Sequence, residues 1–208
     1  MLLKDHTITG FTDVLASDVP APGGGSVAAL NGALASALTH MVCGLTVAKE
    51  KYKEYHAEMQ EIMESADKLK EKLVAGIDED TEAFNKVSAV FTMPKDAPEQ
   101  KAARAEALQA ALKGAALIPL ETMKAALGSL KLIEQMFGKT NNTCMSDYGT
   151  AALCAIASVR AAWLNVKINI SGIKDGEFAE RTEKEARYIL KQAEKLAEEM
   201  YNKIEREI

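Results

Sequence analysis

The chain has 208 residues, a length that suits one domain with a substantial buried core. Its composition of 48% hydrophobic and 26% charged residues is that of ordinary soluble proteins, and an aromatic share of 5% favours helix packing over sheets. The net charge of −5 argues against a nucleic-acid or anionic-membrane partner.

The cysteines and the apolar segments bear on the compartment. Cys43, Cys144 and Cys154 are odd in number and lack CxxC spacing, so they predict neither a disulfide framework nor a zinc site. The N-terminal sequence MLLKDHTITGF has no secretory apolar region, and polar residues interrupt every long apolar run. We therefore expect a reduced, cytoplasmic protein with no membrane partner.

The first elements along the chain are a short helix at residues 8–16 and a glycine loop. Pro20 and Pro22 fix their own φ angles, so the chain should reach the loop extended. The three glycines at 23–25 lack Cβ atoms, which lets the backbone approach a ligand or another helix closely. Ser26 is the expected N-cap of the helix that follows.

That helix combines a helical repeat of large apolar residues from Val27 to Leu45 with small residues on its other faces. Because it is apolar or small all round, we expect it at the buried centre of a bundle. Two nucleotide-binding patterns fit the glycines loosely. However, no strand leads into Pro20 and no Lys-Ser or Lys-Thr pair follows the last glycine, so we disfavour both. A glycine turn into a close-packed helix, without any ligand, remains an alternative.

The rest of the chain predicts four more long helices. They span about residues 55–91, 99–137, 146–169 and 175–208. Pro119 lies inside the second and should kink or split it, while Ser146 or Asp147 should cap the third. Together the pattern predicts an all-α fold, a multihelical bundle with buried small-residue central helices, forming a single domain over residues 1–208.

Asp80 interrupts the apolar face of the helix over residues 55–91. The residues three and four positions apart on that face are otherwise apolar, namely Leu73, Ile77, Phe84, Val87 and Phe91. A carboxylate buried among them is costly unless it is paired, hydrogen-bonded or protonated. We interpret Asp80 as a general acid/base with a raised pKa in an internal cleft. The alternative is a buried cap or ion pair to another helix.

Two further groups of polar residues interrupt apolar helices. Asn141, Ser146 and Asp147 lie where the second small-residue helix begins, and a helix N-terminus suits an anionic or polar group. Asn165 and Asn169 are four residues apart, so their amides share one helical face. We interpret both groups, with the glycine loop and the carboxyl group, as one polar cleft. The three histidines lack metal-ligand spacing, and no metal site is expected.

These residues resemble the formiminotetrahydrofolate cyclodeaminase and methenyltetrahydrofolate cyclohydrolase family. The matching segments are PAPGGGSVAAL, the stretch ending in Lys49-Glu50-Lys51-Tyr52, DEDTEAF, MPKDAPEQKAARAEALQAAL, Asn141 with Ser146-Asp147, and LNVKIN. They occur in family order over nearly the whole chain. The resemblance implies an all-α homo-oligomer, a dimer or larger, that binds folate without metal. It implies no cofactor beyond the tetrahydrofolate-borne substrate.

The resemblance also implies roles for residues. Asp80, the second aspartate of the DxD pair, would be catalytic. We expect the substrate-binding residues to be Gly23, Gly24, Gly25, Ser26, Lys49, Asn141, Ser146, Asp147, Asn165 and Asn169. Because Lys49 follows a helix of about 30 Å, we expect it to serve the glutamate tail or a neighbouring subunit's site. Ala48 and Thr140 stand where family members usually have glycine.

The favoured activity is cyclodeamination of formiminotetrahydrofolate to methenyltetrahydrofolate and ammonia. The alternative is hydration of the methenyl bridge to give formyltetrahydrofolate. Both reactions pass through a tetrahedral carbon between two nitrogens, so the same residues could serve either. A third hypothesis, of a different class, is a non-catalytic helical scaffold in which Asp80 has a structural role and no folate binds.

Overall fold

The fold is entirely helical, as the sequence predicts. The computed structural model describes residues 1–208 and contains six α-helices and no strand. The helices are α1 (Ile8–Leu15), α2 (Gly24–Val47), α3 (His56–Val90), α4 (Pro98–Met136), α5 (Met145–Ile170) and α6 (Gly176–Glu207). Short 3₁₀ segments lie at Leu3–Asp5, Glu50–Tyr55 and Asn142–Cys144.

Local sequence explains most helix starts. Thr7 accepts a hydrogen bond from the Gly10 N–H and caps α1, and Asp175 caps α6 in the same way. Pro98 occupies the first position of α4, where its missing N–H costs nothing. The predicted Ser26 cap is wrong, because α2 already begins at Gly24 and Gly23 is its N-cap. The predicted cap of α5 is also wrong, since that helix begins before Ser146.

Helix α4 continues through Pro119 from Pro98 to Met136. The split that this proline predicts does not occur, and the proline ring is buried in the bundle. Tertiary packing therefore outweighs the tendency of proline to interrupt a helix.

Helices α2 and α5 pack against each other and against α4, with α3 beside α2 and α6 beside α5. Their small residues allow a close approach. A Cβ atom at Gly32 would lie within 3 Å of Leu73 on α3 and of Ser158 on α5. The Ser158 hydroxyl donates to the Ala28 carbonyl across this contact at 2.7 Å. Small residues thus build the inside of the bundle.

Several large apolar residues of α2 and α5 point outward instead. Leu34, Leu45 and Leu153 are 47%, 44% and 50% exposed, and Ile168 is 70% exposed. The small residues of α2 are thus buried inside the bundle, as predicted, while part of its leucine face lies at the surface. Both helices are long and apolar enough to cross a membrane by length and composition, a test that core helices of soluble proteins also pass.

Candidate active site

The carboxyl group of Asp80, on α3, lies against the first turn of α2. A Cβ atom built on Gly25 would overlap this carboxyl group, so only glycine at that position permits the contact. Leu73 and Ile77 are buried as the sequence predicts, but Phe84 is 39% exposed and Phe91 is 62% exposed. From Asp80 onward, the predicted apolar face of α3 therefore borders a cavity and is not buried against another helix.

Ser26 joins α2 to the Asp80 region of α3. Its hydroxyl oxygen lies 2.8 Å from the Ile77 carbonyl oxygen and 3.3 Å from both Asp80 Oδ2 and Thr81 Oγ1. The side chain is fully buried. Ser26 holds the Asp80 region in place and does not line the neighbouring cavity, so its expected substrate-binding role stays a prediction.

The Asp80 carboxyl group is neither fully buried nor ion-paired. Burial raises its pKa above the ordinary value for aspartate, and hydrogen bonding by Ser26 acts in the opposite direction. No charged side chain contributes to this shift. The alternative of a buried ion pair is therefore wrong, although contact with the first turn of α2 does resemble a cap. A carboxyl group with a raised pKa beside a cavity suits general acid/base chemistry.

The cavity beside Asp80 has a volume of about 300 Å³. Its walls combine the loop before α2, the middle of α3 and α4, and the end of α5. The lining residues are Pro20, Ala21, Gly23, Gly24, Gly25, Asp80, Ala83, Phe84, Val87, Ala115, Asn165, Ile168 and Asn169. Asp80 is the one charged group among them. The structure thus brings the predicted glycine loop, carboxyl group and asparagine pair together.

Both asparagines use their amide nitrogen within the protein. Asn165 Nδ2 donates to the Ala161 carbonyl of its own helix at 2.9 Å. Asn169 Nδ2 donates to the Ala115 carbonyl of α4, also at 2.9 Å. Neither side-chain oxygen has a hydrogen-bond partner in the protein. The asparagine pair therefore offers acceptor atoms to the cavity.

The other four predicted binding residues are not part of this cavity. Lys49 is exposed beyond the far end of α2, which at 1.5 Å per residue is roughly 35 Å from Gly24. Asn141 is buried and accepts from the Thr143 N–H, while Ser146 lines a separate groove against α6. Asp147 lies in the same first turn of α5. The prediction of one cleft within a subunit is wrong here, because α2 and α5 run antiparallel and each spans the molecule.

Several cavity residues escaped the sequence analysis as site residues. Phe84 and Val87 follow Asp80 on the same helical face, so the spacing that singled out Asp80 could have found them. Ile168 lies beside the asparagine pair on α5 and could have been found in the same way. Ala115 gives no signal, because alanine lines a wall only by leaving space.

Comparison with known proteins identifies the family of the chain. A sequence profile of the formiminotransferase-cyclodeaminase family matches residues 7–188. The chain belongs to this family. The membership confirms the predicted resemblance, and with it an enzyme of the folate-dependent one-carbon class.

Members of the formiminotransferase-cyclodeaminase family differ in length and in the reaction they are named for. The chain is 40% identical to a methenyltetrahydrofolate cyclohydrolase of Methylorubrum extorquens over 98% of both chains. It is 30% identical to the formimidoyltransferase-cyclodeaminase of Mus musculus, but spans only 35% of that bifunctional protein. A crystal structure of formiminotetrahydrofolate cyclodeaminase from Thermotoga maritima superimposes with a TM-score of 0.83 at 29% identity, covering 99% of this chain and 96% of that one.

Proposed function

We propose that the chain is a methenyltetrahydrofolate cyclohydrolase. The observation that carries the proposal is the Asp80 carboxyl group, which is the one titratable group lining the cavity and has no charged partner. Sequence reasoning favoured cyclodeamination. Identity of 40% to a cyclohydrolase, over 98% of both chains, makes hydration the better-supported reaction.

In this mechanism Asp80 moves protons around a tetrahedral carbon. The carboxylate accepts a proton as water adds to the methenyl carbon. It then returns that proton to the ring nitrogen as the carbon–nitrogen bond breaks, and the hydroxyl proton leaves to solvent. A carboxyl group performs both steps best when its pKa lies near the working pH, and burial moves the pKa of Asp80 in that direction.

Cyclodeamination is the second candidate, supported by the fold match to a formiminotetrahydrofolate cyclodeaminase. There Asp80 would accept the proton of the attacking nitrogen and protonate the departing ammonia. The two reactions differ at the methenyl chromophore. We expect loss of its absorbance when purified protein meets methenyltetrahydrofolate. Appearance of the chromophore from formiminotetrahydrofolate, with ammonia release, would support deamination. If the absorbance changes with neither substrate, both proposed reactions are contradicted.

We further propose that the reaction requires no metal and no cofactor beyond the tetrahydrofolate-borne substrate, since it consists of addition, elimination and proton transfers. Activity should survive dialysis against a chelator at the untreated rate. A loss that added divalent metal restores would refute this. We also propose a cytoplasmic location, which fractionation of the source cells would test.

We propose that two copies associate through the outward face of α2 and α5. Between Gly24 and Val47 this face carries leucine and methionine and no charged residue. A second copy also supplies what the cavity lacks. Folates have an anionic glutamate tail, and no cation lines the cavity. Lys49 lies at the opposite end of α2, so an antiparallel partner would bring it to this end.

A mixing experiment tests this assembly. Light scattering should give a dimer or larger species at micromolar concentration. The assay uses polyglutamylated substrate at a concentration below the raised KM of Lys49→Ala, so that Asp80→Asn and Lys49→Ala protein are each weakly active alone. The mixture should regain activity when subunits exchange, because one site of the mixed dimer is then wild type. A monomer, or no recovery in a dimer shown to have exchanged, would contradict the proposed arrangement.

A further inference from the structure

Pro119 leaves a gap in the hydrogen bonding of α4. A residue in a helix normally donates its N–H to the carbonyl four residues earlier, and proline has no N–H. The carbonyl in question is that of Ala115, which lines the cavity. The side chain of Asn169, on α5, donates to this carbonyl at 2.9 Å. A side chain of one helix thus replaces the backbone donor that another helix lacks.

This bond also fixes which way the Asn169 amide faces. A carbonyl oxygen only accepts hydrogen bonds, so the atom turned to Ala115 must be the amide nitrogen. The same reasoning fixes Asn165, whose Nδ2 donates to the Ala161 carbonyl at 2.9 Å. The two residues are one turn apart on α5 and both line the cavity. Their oxygens, free of protein partners, are left to accept from a ligand.

We propose that Asn165 and Asn169 form an acceptor pair that binds the N–H donors of the pterin ring, and that Pro119 positions Asn169. The proposal rests on the folate-dependent function proposed above. The pterin of a tetrahydrofolate carries an exocyclic amino group and ring N–H groups. A cavity of about 300 Å³ is at the lower end for ligand sites, so it suits the ring rather than the whole molecule.

Pro119→Ala tests the positioning role with an outcome that a purely structural role would not give. The new N–H can donate to the Ala115 carbonyl, which releases Asn169. Because proline disfavours helix interiors, the melting temperature of the variant should hold or rise. The Kd for tetrahydrofolate should nevertheless increase about 3- to 10-fold, the effect of one hydrogen bond. An improved helix with weaker binding would support the proposal.

Asn169→Ala tests the acceptor role directly. It should raise the Kd for tetrahydrofolate by a similar factor of about 3 to 10 and lower the melting temperature. That thermal loss should be smaller in the Pro119→Ala background, where the Ala115 carbonyl has its own backbone donor. Asn31→Ala is the matched control, because Asn31 donates to the Val27 carbonyl at 2.9 Å and lies outside the cavity. It should leave Kd unchanged.

Four results would overturn the inference. If Asn169→Ala lowers the melting temperature but keeps Kd within twofold, the amide only repairs α4. If Pro119→Ala keeps the wild-type Kd for tetrahydrofolate, Pro119 has no positioning role. Pro119→Ala still tests the proposal if Asn169→Ala does not fold. Wild-type protein that binds no tetrahydrofolate would refute the proposed function and the acceptor pair together. Equal thermal losses from Asn169→Ala in both backgrounds would refute the link between Pro119 and Asn169.

Discussion

Asp80→Asn replaces one carboxyl oxygen by nitrogen and leaves the side chain nearly the same size. No charged group contributes to the pKa of Asp80, so the exchange strands no buried counter-charge. Ser26 Oγ, 3.3 Å away, can still donate or accept. We therefore expect a folded variant that binds tetrahydrofolate. Turnover should fall by roughly 10² to 10⁴, about 3 to 5 kcal/mol of transition-state stabilisation.

The same change has a defined effect on stability. Burial raises the pKa of Asp80, so the native state holds this proton more tightly than the unfolded state does. The contribution of Asp80 to stability is therefore present below the unfolded pKa, near 3.9, and is lost as pH rises towards the raised native value. The Asn variant lacks this loss. At neutral pH its melting temperature should equal or exceed that of the wild type.

The assay combines methenyl absorbance, for turnover, with thermal melts at several pH values. Asp78→Asn is the matched control, because Asp78 accepts from the Leu3 N–H at 2.6 Å and lies outside the cavity. It should keep full turnover. Full turnover in a stable Asp80→Asn variant would refute the catalytic role. A drop of roughly 10 °C, from about 3–5 kcal/mol, would instead indicate a structural charge partner.

Three further substitutions test the surroundings of the site. Gly25→Ala should abolish turnover, because the new Cβ displaces the Asp80 carboxyl group. Gly23→Ala should retain turnover, because nothing lies within 4 Å of its Cβ position. Equal activity of the two variants would contradict the close contact between Gly25 and Asp80. Ser26→Ala should lower kcat about tenfold and leave KM unchanged, because the buried hydroxyl holds Asp80 without touching substrate. A raised KM with unchanged kcat would indicate that Ser26 binds the substrate directly. Lys49→Ala should raise KM more for polyglutamylated than for monoglutamate substrate, and equal changes would exclude a tail role.

The sequence predicted the helices and the catalytic candidate because both depend on local spacing. Asp80 stands out among apolar residues at intervals of three and four, and the structure places it beside a cavity. Periodicity also locates α2 and α5. It does not show which face of a small-residue helix is buried. The close contact at Gly32 requires the small face inside, and the leucines then point outward.

The errors concern features that depend on tertiary contacts. Ser26 has the sequence pattern of an N-cap, but α2 starts three residues earlier than this pattern predicts, with Gly23 as the N-cap. The low helix propensity of glycine is overridden there, because Gly25 accommodates the Asp80 carboxyl group. The sequence predicts that Asn141 and Ser146 belong to one cleft with Asp80, because each polar group interrupts an otherwise apolar pattern. The antiparallel course of α2 and α5 puts them at the other end of the subunit. Ala115 could not be found, because its side chain lines the wall only by leaving space and its backbone carbonyl has no signature in the sequence.

The gap at Pro119 also affects how α4 responds to local unfolding. Residues 98–114 of α4 are mostly exposed, whereas residues 115–136 are mostly buried. Asn169 supplies the missing donor only while α5 is docked, so undocking of α5 costs α4 a bond at the boundary of these two segments. The segments should therefore open as separate cooperative units. Amide deuterium uptake would then advance through residues 98–114 before it reaches the buried half of the same continuous helix.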